Sequence, residues 1–171
     1  YELGKLLRDH GMSNKRRYWH EMVGFNYRMT NLQAAVGVAQ MERFEEIIDK
    51  KREIFNFYNR NLLNLNGISK MPFNSNNFYN SSWLYTFILD SHIDRDKLIN
   101  KLNQQGIELR PSFCSLSEMP PYRNFRKSLS LKNSYLLSQK GVSLPSSIML
   151  NEIQLKFIVQ SLANFLKNNI E

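Results

Sequence analysis

One cysteine, three histidines and seven glycines leave little material for several common chemistries. The lone Cys114 excludes an internal disulfide framework and suits a reducing compartment. As a nucleophile it would need a histidine brought beside it by the fold; an incidental thiol is the plainer reading. His10, His20 and His92 are scattered. None has a cysteine or carboxylate at ligand spacing, so no metal site is expected. The glycines build neither a P-loop nor a G-x-G-x-x-G turn, which removes the two commonest phosphate cradles. No apolar run approaches the ~20 residues of a membrane-spanning helix. No secretory leader is visible either. The expectation is a cytoplasmic protein with no membrane partner.

Basic residues are in excess: Lys and Arg number 23 against 15 Asp and Glu, for a net charge of +8. Such a balance permits an anionic partner. Yet the basic residues are scattered: the densest groups are Lys15-Arg16-Arg17 and Lys50-Lys51-Arg52, and the second is surrounded by Glu45, Glu46, Asp49 and Glu53, the pattern of a solvated helix face. The tyrosines and phenylalanines follow helix and strand periods, as core residues do, rather than forming a stacking surface for bases. No nucleic-acid partner is expected. The hydrophobic fraction of 42% is enough for a packed core.

The first residues read as the end of a helix stopped at Gly11. Residues 12–29 are loop-like and rich in Arg, Tyr, Trp and His. Thr30 then stands as an N-cap with Gln33 three residues on, a capping box. Met41, Phe44, Ile48, Phe55, Tyr58, Leu62 and Leu65 follow by steps of three and four, with Lys51 at the one missing place. The spacing predicts one helix of ~35 residues and ~50 Å, ended by Gly67. Its first turns carry Ala34, Ala35, Gly37 and Ala39, small enough to admit another backbone closely.

Further on, 68–80 reads as a polar surface connection. Ser81–Asp90 reads as a strand. Asp94 caps a short helix with Leu98, Ile99 and Leu102, ended by Gly106. "IELRPSF" reads as a second extended segment, with Pro111 at its end or at an edge. These form a β-helix-β unit in a small sheet. Residues 114–133 read as irregular, Ser134–Lys140 as a short helix, and Asn151 as the cap of a last helix striped by Leu155, Ile158, Leu162 and Phe165.

The loop before Thr30 holds the remaining chemistry. Gly24 permits a backbone path closed to other residues. Asn26 offers amide donors and Arg28 a guanidinium suited to phosphate or carboxylate. Both stand just before a helix N-terminus, where anions are favoured. The corner could catch an anion, or these two side chains could simply tie the loop down.

The segments "RDHGMS", "YWHEMVGFNYRMTNLQAAVGVAQMERFEEII", "GIELRP" and "LPSS" occur in this order. Together they resemble the C-terminal part of the DegT/DnrJ/StrS family of nucleotide-sugar aminotransferases. The resemblance implies an α/β fold: the C-terminal part of a fold-type I pyridoxal-phosphate (PLP)-dependent transferase. Residues 1–29 would be the end of the large domain and an active-site loop, 30–66 a long interdomain helix, and 67–171 a small α+β domain. It implies a homodimer that moves an amino group from glutamate onto a nucleotide-linked keto-sugar, of perosamine type, for O-antigen or other surface polysaccharide. The Schiff-base lysine of the family lies upstream of the segment matching "RDHGMS". The catalytic core and every catalytic residue are therefore expected outside this chain, which alone is expected to be inactive and to bind PLP weakly or not at all.

By the same resemblance Asn26 reaches the cofactor phosphate of the neighbouring subunit. Tyr18, His20, Arg28, Arg110 and Ser117 would line the way of the nucleotide sugar. Many relatives carry P-L-H where this chain has Ser115-Leu116-Ser117. The alternative is a non-catalytic dimerisation module built on the long helix, whose small-residue start and preceding loop would expose an apolar patch when uncovered.

Overall fold

A computed structural model describes residues 1–62, 64–70, 80–125 and 131–169. It divides into two compact units, Tyr1–Glu45 and Glu46–Glu171.

In the first unit, helix α1 spans Glu2–Arg8 and helix α2 Asn31–Glu42. The capping box forms as expected. The Thr30 hydroxyl accepts from the Gln33 amide at 3.3 Å, and the Gln33 side chain accepts from the Thr30 amide at 2.8 Å. Helix α2 buries no residue, and Leu32, Val36, Val38 and Met41 stand exposed. A Cβ placed on Gly37 would meet nothing within 4 Å, so among the described residues of this unit nothing makes the close approach expected at this small-residue stretch.

The expected continuous helix is interrupted. Arg43 leaves helical geometry at φ −104° and ψ 10°, its N–H turning to the Gln40 and Met41 carbonyls. Helix α3 then runs from Phe44 to Asn61, short of Gly67. The apolar stripe is buried only in its later part, at Phe55, Tyr58 and Leu62, joined by Ile54. Burial, not the periodic pattern alone, decides where a helix is held.

The second unit carries a four-stranded sheet in the order β1-β2-β4-β3, from Ile68–Lys70, Tyr85–Leu89, Gly141–Leu144 and Arg110–Pro111. Every neighbouring pair is antiparallel. Two elements differ from expectation. Ile68–Lys70 is not a surface connection but an edge strand, with Ile68 opposite Leu89; residues 71–79 of that segment lie outside the described residues. The two expected strands are not neighbours, because Gly141–Leu144 lies between them and pairs with both.

Strand β2 alternates in burial, with Tyr85, Phe87 and Leu89 on the core side. All four residues of β4 are buried, as a central strand covered on both faces requires. Helix α4, Arg95–Asn103, is capped by the Asp94 carboxylate, which accepts from the Lys97 amide at 2.9 Å. Helix α5 spans Lys132–Lys140, and α6 spans Glu152–Lys167. The expected stripe of α6 is buried in full, and Asn151 forms a capping box with Gln154. Leu98, Leu102, Phe87, Leu144 and Leu162 meet α3 residues in one core. Each such side chain contributes about 1.5–3 kcal/mol by leaving water.

Lys51, the gap in the stripe, has a clear reason. Its ammonium donates to the carbonyls of Trp83 at 3.1 Å and Ser146 at 2.5 Å. Partial burial pushes its pKa below the ordinary value. Behind it, the Tyr58 hydroxyl donates to the Pro145 carbonyl at 2.8 Å and the Tyr85 hydroxyl to Asn59 at 3.0 Å.

Candidate functional site

The loop of the first unit is built by backbone contact. The His10 N–H donates to the Phe25 carbonyl, the Phe25 N–H to Leu7 and the Tyr27 N–H to Arg8, at 2.9, 2.7 and 2.9 Å. Asn26 thereby pairs with Asp9 as an isolated bridge. Gly11, at φ +66°, is the only fully buried residue among 1–45.

This frame presents the expected site residues outward. Asn26 is exposed, and among the described residues nothing holds its side-chain amide. Its amide has two N–H donors and one carbonyl acceptor open to a partner. Arg28 is engaged: its guanidinium meets the Asp9 carboxylate at 3.2 Å. Arg28 is exposed and Asp9 partly so, and the pair is worth at most ~1 kcal/mol. His20 Nδ1 donates to the His10 carbonyl at 2.9 Å; since a carbonyl only accepts, Nδ1 carries the hydrogen. Tyr18 is exposed at φ +63°, with the Arg17 guanidinium 4.9 Å from its ring centre. Phe25 and Tyr27 stack at 5.3 Å.

In the second unit Arg110 lies on strand β3. Its Nε and Nη2 both donate to one Glu108 oxygen, at 3.3 and 3.2 Å. Arg110, Glu108, Lys51 and Leu84 line a cavity of about 270 Å³ together with residues 144–147. Ser117 stands apart from that cavity in a hydroxyl cluster. It donates to the Tyr135 hydroxyl at 3.2 Å and lies 2.9 Å from the Ser115 hydroxyl, which also accepts from Ser134 at 2.9 Å. Sequence reasoning missed three partners: Asp9, Glu108 and Lys51. Asp9 and Arg28 are 19 positions apart, and no local pattern links them. Among the described residues no cluster could hold a metal ion, and Cys114 is an exposed free thiol. No helix there is long and apolar enough to cross a membrane.

The profile of the DegT/DnrJ/EryC1/StrS aminotransferase family matches residues 1–163. The chain belongs to this family. It is similar to the GDP-perosamine synthase of Vibrio cholerae, at 39% identity over 163 residues, which is 93% of this chain and 43% of the relative. The GDP-perosamine synthase of Caulobacter vibrioides is 36% identical over 160 residues, 92% of this chain and 43% of the relative. Among solved structures it resembles the aminotransferase TlmJ from Streptoalloteichus hindustanus, with a TM-score of 0.88 and 19% identity over 99% of this chain and 45% of that one. The fold expected for part of a sugar aminotransferase is thus the fold found. The chain spans less than half the length of these relatives.

Proposed function

We propose that this chain is the C-terminal part of an enzyme that moves an amino group from glutamate onto a keto-sugar carried by a nucleoside diphosphate, of perosamine type, for O-antigen or other surface polysaccharide. The 39% identity to a GDP-perosamine synthase across nearly all of the chain carries the reading. PLP, when bound, supplies the electron sink for that transfer. The Schiff-base lysine belongs to the part of the enzyme outside this chain, so the chain alone is inactive. In the division of labour we infer, 1–29 is the end of the large domain, 30–66 the interdomain segment and 67–171 the small domain. Asn26 donates to the PLP phosphate bound in the partner subunit of a cytoplasmic homodimer. Tyr18, His20 and Arg28 bound the sugar's entrance, with Asp9 holding Arg28 in place. Arg110 and Ser117 serve from the small domain.

The exposed Leu32, Val36, Val38 and Met41 support a subunit contact along α2. The same observation supports a second reading, a dimerisation module without catalysis. Affinity of the whole protein for PLP tests the assignment of Asn26. Asn26→Ala is expected to weaken PLP about tenfold, one charge-assisted hydrogen bond. Unchanged affinity would remove Asn26 from the site.

A further inference from the structure

Trp83 precedes strand β2 and Phe113 follows β3, yet their rings stack. The centroids are 6.3 Å apart and the planes 20° from parallel. Both rings stay open to water, at 61% and 76% exposure. The separation lies within the 4.5–7 Å of a contacting aromatic pair, so another flat molecule would lie on the outer face rather than between them.

The Trp83 carbonyl accepts from Lys51, which lines the 270 Å³ cavity together with Arg110, three residues before Phe113. Glu108 holds one edge of the Arg110 guanidinium through Nε and Nη2. The Nη1 hydrogens are not used in that pair. A guanidinium matches a phosphate oxygen pair, and aromatic rings stack any base. We propose that the Trp83–Phe113 pair and Arg110 seat the nucleoside diphosphate portion of the substrate, base on the rings and diphosphate on the guanidinium. This rests on the nucleotide-sugar reading above.

Trp19 and Trp83 are the only tryptophans, so Trp19→Phe leaves Trp83 as the sole reporter. GDP, guanosine and inorganic pyrophosphate are titrated into this chain, with calorimetry in parallel. GDP is expected to quench Trp83 saturably, guanosine more weakly, and pyrophosphate not at all. Phe113→Ala should weaken GDP about fivefold or more, with Phe113→Tyr restoring it, as loss of a stacking partner requires. Arg110→Gln should weaken GDP and leave guanosine unchanged. Calorimetric GDP binding with Trp83 emission unaltered and Phe113→Ala without effect overturns the seat while the aminotransferase reading stands. No binding of GDP at millimolar concentration also overturns the seat. The aminotransferase reading falls only on the separate absence of glutamate-dependent transfer by the whole protein.

Discussion

A Cβ on Gly24 would stand 2.1 Å from the amide nitrogen of Gly11, so the two sides of the loop touch backbone to backbone. Gly11 is equally constrained, at φ +66° with its Cβ position 2.1 Å from the Met22 carbonyl oxygen. The outward set of Asn26 follows from this contact, since the Phe25 and Tyr27 hydrogen bonds flank it. Gly24→Ala should therefore free the loop. Amide exchange at His10 and Tyr27 is expected to rise roughly thirtyfold, about 2 kcal/mol of local opening. Gly37→Ala, with open space around it, should leave those amides alone and stabilise α2 by about 0.5–1 kcal/mol. Unchanged exchange in Gly24→Ala would contradict the backbone contact.

Lys51 joins α3 to the Trp83 and Ser146 carbonyls, which no substituted apolar residue can satisfy. Lys51→Met fills the gap in the stripe but removes both donations. Urea denaturation should show a loss of about 1–3 kcal/mol. A variant as stable as the parent chain, or more so, would show that the apolar stripe outweighs the two hydrogen bonds.

Burial pushes the Tyr85 phenol up to about 12 from an ordinary 10.0. Burial pushes Tyr58 up further still. In the unfolded chain these phenols ionise near the ordinary value, so the unfolded state loses its protons first. Stability is whole below pH 10 and falls as pH rises toward 12. Tyr85→Phe should flatten that fall by about 2 kcal/mol at the alkaline end. Denaturation midpoints across this range, with tyrosinate absorbance recorded alongside, check it. An equal alkaline fall in Tyr85→Phe would assign the loss elsewhere.

Local signals were legible where chemistry is local. The Thr30 and Asp94 caps, the α6 stripe and the Tyr85–Leu89 strand all stand where short-range pattern puts them. Strand Gly141–Leu144 was not legible, because four residues buried on every side show no alternation. The break at Arg43 hid behind a stripe that steps through it unchanged. The candidate site was legible as residue types only. Asn26 and Arg28 stood out as residue types that could catch an anion or tie the loop down, but the Asp9 that engages Arg28 and the Glu108 that pairs with Arg110 come from tertiary or strand geometry. The Trp83–Phe113 stack joins positions 30 apart, and no periodicity announces it.

The most direct test is glutamate-dependent transamination by the whole protein, loaded with PLP and given a GDP-linked keto-sugar. Release of 2-oxoglutarate together with one equivalent of amino sugar is the expected result, with no turnover by residues 1–171 alone. A whole protein that binds PLP but transfers nothing to any nucleotide-linked keto-sugar would contradict the account.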